Sequence, residues 1–501
     1  MVDSAPTSWT FGTILDALGD LVVEARGDRS AALTGATADS REIKPGDCFV
    51  AVRGYQQDGI RYWPAAQAAG AEALVCETCP DPLPEVPFAR VRDGYAAMGR
   101  VAELVRGRPA DAMQLIGITG TNGKTTCAFL LDRMLEAAGR CTGMIGTVVY
   151  KFGDRSLEAD RTTPMPFALQ DLLLDMRSAG VDTVTVEVSS HSLAQRRLGT
   201  AKFAAGLFTN LTGDHLDYHR TMEDYYAAKR RLFTEDLLDG APAVVNVDDP
   251  HGERLHAELR REGRVTSHSF SMTDRGADFA LHSIQTNVAG GGALLAYGGE
   301  NHVDLPLRTP MIGRYNLCNV GCVAALALVL GVPPETVARC AAEFHGAPGR
   351  LQPIRKEGWA SVFVDYAHTD DALENVLQSL AAEKKRELIL VFGCGGDRDP
   401  SKRPRMARTA ETYADRIYVT SDNPRTEDPE AILDDVCAGF SPYAPFHRYA
   451  DRGEAIRAAL AEADPADIVL IAGKGHETYQ EINGVKHPFD DACEVRKALS
   501  P

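Results

Sequence analysis

Short apolar runs alternate with amphipathic stretches through most of the chain, and polar loops follow the runs. Residues 115–119, 183–188, 204–211 and 243–247 are apolar and too short for helices, which predicts buried strands. Residues 127–138, 167–179 and 223–233 carry helical periodicity between and after them. That alternation predicts a mostly parallel sheet covered by helices. A helix is expected from Arg314 to near Leu330. A second series of strands follows at 361–366, 388–392, 416–420 and 468–472, again with helices between. The first hundred residues are less regular. They hold a helical stretch at 11–21 and a short strand at 49–52. Between these, Lys44-Pro45-Gly46-Asp47 is a turn in which proline presets φ and glycine takes φ > 0. The chain thus reads as α/β with three domains, 1–108, 109–343 and 344–501. Arg106-Gly107-Arg108-Pro109 is the first junction and Pro348-Gly349-Arg350 the second.

Length agrees with that division, because 501 residues exceed what one core supports. The net charge is −17 with no long basic block, which argues against nucleic acid or an anionic membrane as partner. Anionic ligands must then be met by local cations. The 11 cysteines form no framework, as suits a reducing compartment. Cys76 and Cys79 are a close pair without a second pair at zinc spacing, so they read as ordinary thiols. No signal-peptide pattern opens the sequence, and no apolar run reaches about 18 residues. A cytoplasmic protein without membrane insertion is expected, acting as a monomer.

Ligands of parallel sheets bind beyond the carboxyl ends of the strands, so the polar residues there are the candidates. After 115–119 comes Gly120-Thr121-Asn122-Gly123-Lys124-Thr125-Thr126, opening a helix. Strand, glycine turn and helix form a phosphate cradle of backbone N–H groups at a helix N-terminus. Lys124 would reach the outer phosphates and the Thr125 hydroxyl would sit on Mg²⁺. The usual spacing wants a glycine where Ile118 stands, so Gly120 must make the turn.

Glu187 stands near the end of the 183–188 run, and a buried carboxylate there needs either a salt bridge or a cation. His215 lies in the polar stretch Asp214-His215-Leu216-Asp217-Tyr218-His219 after the next strand. Thr162 and Thr163 precede a proline, where they would cap a helix or hold a substrate. Asn246 most simply ends a strand and has no assigned role. Lys229, beside Arg230 and Arg231, reads by itself as a surface lysine. In the last domain each strand ends in a polar cluster: Asp365-Tyr366-Ala367-His368, Gly393 to Asp399, Asp422-Asn423-Pro424-Arg425, and Gly473-Lys474-Gly475-His476-Glu477. Glycine-rich basic clusters suit an anionic ligand, and Glu477 suits an amine.

Taken together, Gly120 to Thr126, Glu187-Val188-Ser189-Ser190-His191, Asp214 to His219 and Asp422-Asn423-Pro424-Arg425-Thr426-Glu427 resemble the Mur ligases. The resemblance runs over almost the whole chain in the family's order. It implies a small N-terminal α/β domain binding a UDP-substrate, a central P-loop-type ATPase domain, and a Rossmann-like domain binding an amino acid. Among the family's activities, the nearest is the addition of meso-2,6-diaminopimelate to UDP-N-acetylmuramoyl-L-alanyl-D-glutamate. ATP is then a co-substrate and an acyl phosphate the intermediate.

By resemblance, Ser40, Tyr55, Gln56 and Gln57 hold the UDP end. Thr162, Thr163, Ser189, Gln195 and Arg197 hold the muramoyl-dipeptide. Gly120 to Thr126 with Asn316, Arg350 and Asp365 surround ATP. Thr125, Glu187, His215 and a carbamylated Lys229 face Mg²⁺, with Lys124, Glu187, His215 and Lys229 catalytic. Arg398, Asp422, Asn423, Pro424, Arg425, Gly473 and Glu477 bind diaminopimelate. At Thr369-Asp370-Asp371 the family commonly has proline in the middle, which leaves the local turn open. The same reaction with L-lysine, a P-loop NTPase switch and a nucleotide-binding scaffold are the rivals. A switch would need a strand ending in Asp for Mg²⁺, and here the nearest candidate ends in Glu187.

Overall fold

The computed structural model describes residues 9–54, 57–299 and 303–500. The chain divides into two compact units, 1–128 with 135–269, and 129–134 with 270–501. Tyr55 and Gln56 lie outside the described residues.

The first unit begins with α1, Phe11–Leu18. The Thr10 hydroxyl accepts from the Thr13 N–H and the Thr13 hydroxyl accepts from the Thr10 N–H, a reciprocal cap. The helix is shorter than the 11–21 expected, because Gly19 at φ 53 turns the chain out. Strands β1 (Val22–Arg26), β2 (Gly35–Thr37), β3 (Asp47–Ala51), β4 (Ala73–Cys76) and β5 (Phe88–Val91) form a sheet in the order β1-β5-β4-β3-β2. Phe11, Ile14 and Leu18 pack there with Ala97 and Val101 of α2, Gly94–Val105.

The central sheet is built on β6, Gln114–Thr119, which leads through the glycine loop to α3, Lys124–Ala137. Strands β7 (Thr142–Ile145), β8 (Val149–Phe152) and β9 (Arg155–Glu158) precede α4, Pro166–Ser178. Next come β10 (Thr183–Glu187), α5 (Ser190–Ala194), β11 (Phe203–Phe208), α6 (Met222–Arg231), β12 (Pro242–Asn246), α7 (Pro250–Glu262) and β13 (Thr266–Ser271). Their order is β9-β8-β7-β10-β6-β11-β12-β13. Both neighbours of β6 are parallel to it, with Glu187 opposite Ile118 and Phe208 opposite Thr119. The carboxyl ends of β6, β10 and β11 therefore converge on one edge.

The antiparallel extension β8–β9 was not expected from the sequence: β9 is exposed throughout and carries no apolar pattern. Buried Glu103 of α2 joins the two layers of this unit. Its carboxylate accepts from the Thr200 N–H and hydroxyl and from the Ala201 N–H, at 2.7–2.8 Å.

The second unit opens with an antiparallel meander, β14 (Phe279–Asn287), β15 (Gly290–Tyr297) and β16 (Val303–Thr309). Helices α8 (Arg314–Val329) and α9 (Pro334–Glu343) follow. Then come β17 (Gln352–Ile354), β18 (Ser361–Asp365), α10 (Asp370–Ala381), β19 (Leu388–Phe392), α11 (Lys402–Tyr413), β20 (Arg416–Thr420), α12 (Pro429–Cys437), β21 (Phe446–Tyr449), α13 (Arg452–Ala461) and β22 (Ile468–Ala472). A hairpin, β23 (Tyr479–Ile482) and β24 (Val485–Pro488), precedes α14, Asp491–Leu499. The sheet runs β17-β18-β22-β19-β20-β21, parallel except for β17.

Helices cover both faces. Leu388, Leu390 and Phe392 face α10 and α11, while Ile389 and Val391 face α13 and α14. A buried ion pair ties this second layer down: Arg452 donates through Nε and Nη2 to Asp491 at 2.7 Å, and through Nη2 to the Ala472 carbonyl at 2.9 Å. Among the described residues no helix is long and apolar enough to cross a membrane.

Candidate active site

The glycine loop behaves as its sequence demands. Gly120 sits at φ 150, and a Cβ there would collide with the Thr209 hydroxyl. Gly123, at φ 87, turns directly into α3, so the helix starts at Lys124, three residues before the expected 127. The loop is pinned by the end of β11. Thr121 and Asn122 donate their N–H groups to the Asn210 carbonyl and Oδ1, both at 2.9 Å. The Thr209 hydroxyl donates to the Asn122 carbonyl at 2.7 Å. Asn246, given no role by sequence, donates to the Thr209 carbonyl at 2.8 Å and holds that support in place. Lys124 Nζ lies against the loop, donating to the carbonyls of Gly120 (2.9 Å) and Thr121 (2.8 Å). Thr126 is buried beneath it.

Glu187, at the end of β10, is fully buried. Its Oε2 accepts from the hydroxyls of Thr125 (2.9 Å) and Thr147 (3.0 Å), and its Oε1 from the Thr147 N–H (2.9 Å). Among the described residues it has no ion pair, which removes the salt-bridge reading. A buried carboxylate held only by hydroxyl and amide donors, one of them the phosphate-loop threonine, fits a site for a hard cation.

Lys229 corrects the surface-lysine reading. It is 1% exposed, donates to the Gly120 carbonyl at 2.8 Å and lies 4.7 Å from the Tyr225 ring centroid. Burial, reinforced by the like charge of Lys124, holds its amine well below the usual lysine range. Its helix, α6, buries Tyr225, Tyr226, Ala228 and Lys229 as one face, leaving the neighbouring arginines less buried.

His215 takes φ 55 and faces Asp214, with Nε2 3.4 Å from Oδ2. It belongs to a ring cluster that sequence reasoning did not assemble. His191 lies 4.9 Å from His215 and 4.2 Å from Tyr218, and His219 lies 5.1 Å from Tyr225. The signal was available in the two quoted His-bearing motifs, but only the fold brings His191 to His215. Among the described residues no three His, Cys, Asp or Glu side chains are grouped as a ready metal cage.

Thr162, Thr163, Ser189, Gln195 and Arg197 are brought together. Thr162 and Thr147 hydroxyls meet at 3.1 Å, and Thr163 donates to the Glu187 carbonyl at 2.8 Å. The Ser189 N–H donates to the Thr163 hydroxyl at 3.2 Å. Arg197 donates to the Thr163 carbonyl (2.7 Å) and to Gln195 Oε1 (2.9 Å). The threonines are not the helix cap: α4 starts at Pro166 with Met165 as an N-cap that makes no side-chain bond. Arg197 is 6% exposed and, among the described residues, has no carboxylate partner. Burial and Arg161 lower its pKa, a setting that favours an incoming anion. Ser40 is half-buried in a turn, and Gln57 accepts from the Tyr62 hydroxyl at 2.7 Å.

In the second unit, Asp365 ends β18 and accepts the N–H groups of Leu351 (2.6 Å) and Ala367 (2.8 Å), so it anchors the Gly349-Arg350-Leu351 turn. Burial raises its carboxyl above the usual range, with Arg350 opposing. The Arg350 guanidinium lies 4.9 Å from the Tyr366 ring centroid. Buried Asn316 donates to the Ile312 carbonyl at 2.9 Å. The Thr369-Asp370-Asp371 departure leaves an ordinary helix start: Thr369 caps α10 and Asp370 pairs with Arg405 at 2.8 Å.

Asp422, Asn423, Pro424, Arg425, Gly473 and Glu477 converge at the ends of β20 and β22. A Cβ on Gly473, at φ 118, would press on Asp422 Oδ2, and one on Gly395 would touch both Arg425 and Arg398. Asn423 Nδ2 donates to Glu477 Oε2 at 2.8 Å. Arg425, at φ 52, donates through Nη1 to the Gly396 carbonyl at 2.7 Å. Its backbone is locked to β23, N–H to Glu481 O at 3.0 Å and O to Asn483 N at 2.6 Å. Arg398 is exposed. Lys474 and Glu427 belong to the same strand-end clusters, and their sequence context gives neither a role. Buried Arg403 binds both Glu427 oxygens at 2.9 Å and braces the same loop.

Three family models match the chain: Mur ligase family, catalytic domain (residues 32–99), Mur ligase middle domain (118–328), and Mur ligase, glutamate ligase domain (349–475). Among curated proteins, the chain is 43% identical over 487 residues to a UDP-N-acetylmuramoyl-L-alanyl-D-glutamate–2,6-diaminopimelate ligase of Chlorobaculum tepidum, covering 95% of each. It is 42% identical over 479 residues to the enzyme of the same name from Synechococcus elongatus, covering 94% of each. A solved structure of a ligase of that name superposes with a TM-score of 0.69 at 34% identity, over 98% of this chain and 99% of that one. Mycobacterium tuberculosis folylpolyglutamate synthase, solved with ADP and AMPPCP, shares the fold with a TM-score of 0.62 at 20% identity, over 81% of this chain and 95% of that one.

Proposed function

The chain belongs to the Mur ligase family, and on that premise we propose that it joins meso-2,6-diaminopimelate to UDP-N-acetylmuramoyl-L-alanyl-D-glutamate at the expense of ATP. The observation that carries this reading is identity of 43% and 42%, along nearly the full length, to two 2,6-diaminopimelate ligases. The reaction makes a peptidoglycan precursor, and we assign it to a cytoplasmic monomer acting without nucleic acid. The domains 1–108, 109–343 and 344–501 take the UDP-substrate, ATP and the amino acid in turn.

The chemistry follows from the charges. The ATP γ-phosphoryl group passes to the substrate's terminal carboxylate, giving an acyl phosphate. The amine of diaminopimelate attacks that carbonyl and phosphate leaves. Phosphoryl transfer of this kind needs positioning and charge neutralisation more than covalent help. Lys124 exchanges its two loop carbonyls for phosphate oxygens, while the Gly120–Thr126 N–H groups cradle the rest. Thr125, Glu187, His215 and carbamylated Lys229 would hold Mg²⁺, which neutralises phosphate charge when bound.

Carbamylation requires a neutral amine, and burial shifts Lys229 toward that form. Arg197, buried without a carboxylate partner among the described residues, takes the dipeptide's acidic group with Thr162, Thr163, Ser189 and Gln195 around it. Ser40, Tyr55, Gln56 and Gln57 take the UDP end, and Asn316, Arg350 and Asp365 the nucleotide's remainder. Arg425 and Arg398 receive the distal carboxylate of diaminopimelate, and Glu477 its amine, beside Asp422, Asn423, Pro424 and Gly473. The test is ATP turnover by purified protein. Phosphate release strictly dependent on both UDP-substrate and diaminopimelate, with the amide product seen by mass, supports the reading; release with neither present contradicts it.

A further inference from the structure

Lys474 is fully buried between two glycines at the end of β22. Its ammonium donates to Asn423 Oδ1 at 2.9 Å and to Glu477 Oε2 at 3.0 Å, and stands 5.6 Å from the Tyr479 ring centroid. Asn423 closes the triangle, donating through Nδ2 to the same Glu477 Oε2 at 2.8 Å. We propose that Lys474 is a positioning residue of the amino-acid site, one that sets both Asn423 and Glu477 for an incoming ammonium and is not itself in contact with it.

Two consequences of the triangle support this. First, Asn423 Oδ1 receives Lys474 Nζ and also the Glu481 N–H at 2.9 Å, so the amide can face Glu477 only through its NH₂. The lysine and the Glu481 N–H together set which way the asparagine points. Second, both donors sit on Oε2 of Glu477. Oε1 makes no hydrogen bond among the described residues and is left as the acceptor for the ligand's amine. A carboxylate held on one oxygen by a buried cation is fixed in rotamer before ligand arrives, which lowers the ordering cost of binding. A buried lysine is costly unless paired, and here the partner is a proposed ligand-binding group and not a structural one. This inference rests on the diaminopimelate reading of the site.

The test is steady-state kinetics of Lys474→Met with each substrate varied in turn, together with Glu477→Ala and the double variant. The KM for diaminopimelate should rise about tenfold or more, because Glu477 loses its buried partner and Asn423 one of its two Oδ1 donors, while the KM values for ATP and UDP-substrate stay within about twofold. In the Glu477→Ala background the same lysine change should cost less than about threefold, the signature of coupling through that carboxylate. Lys474→Gln is read instead if the methionine variant does not fold. Equal losses with and without Glu477, parallel rises in all three KM values, or failure of both variants to fold would each overturn the proposal in favour of a structural lysine. Wild-type protein that ignores diaminopimelate would instead overturn the reading beneath it, so the two failures are distinguishable.

Discussion

Glu187 and Lys229 are buried at the phosphate loop and, among the described residues, neither has an ion-pair partner. At the ends of β20 and β22 two buried cations are matched: Lys474 with Glu477 at 3.0 Å and Arg452 with Asp491 at 2.7 Å. Both regions lie beyond the carboxyl ends of parallel strands, yet they treat charge differently. An unmatched buried ion costs several kcal/mol, and a fold that keeps one is holding it for something else. The phosphate-loop region is thus charged for ligands that bring their own charge. The second region is prearranged, its cations and anions already orienting one another; Arg425 too faces a carboxylate, Glu481 at 3.6 Å, and a ligand carboxylate would compete for it. The contrast says which substitutions cost activity and which cost stability.

Lys124→Ala breaks the first region hardest. Loss of the phosphate-facing cation should cut amide formation by at least about 10⁴-fold, with circular dichroism and melting unchanged. Lys229→Met should cost about 10³-fold in turnover without lowering stability, because the buried amine it removes forms no ion pair among the described residues. Short carboxylic acids are expected to restore part of that activity. A melting temperature well below wild type would show that the lysine is structural.

Asp491→Ala is the mirror experiment in the second region. It strands Arg452 and should lose about 3–5 kcal/mol of stability in denaturant titration. A loss under about 1 kcal/mol, the range of surface pairs, would erase the contrast. Arg425→Ala is the mildest. It should lower kcat/KM for diaminopimelate by about 10²-fold, leaving the KM for ATP within about twofold.

The strands at 388–392, 416–420 and 468–472 were legible to the residue because they are buried on both faces and read as short, largely apolar runs. The same logic missed β9, exposed along its length, and the glycine-rich start of β15. The glycine loop was legible because its constraint is local. Lys229 was not, since Arg230 and Arg231 beside it look like a surface run and only the docking of α6 buries one of the three fully. Lys474 was passed over for a related reason: between two glycines it carries no pattern, and its partners are 51 and 3 residues away. His191 and His215 were each readable, but their 4.9 Å approach depends on two different strand ends meeting.

The central claim is that this site selects diaminopimelate. Diaminopimelate differs from lysine by one carboxylate, and a guanidinium meets that group with paired hydrogen bonds. Lysine would leave Arg425 without its partner, and rejection by unpaired polar groups reaches about 10⁴-fold. The direct measurement is kcat/KM for the two amino acids, assayed in parallel with saturating ATP and UDP-substrate. A preference for meso-diaminopimelate of about 10³-fold or more, largely abolished in Arg425→Ala, is the expected result. Comparable values for lysine and diaminopimelate in the wild-type protein would contradict it.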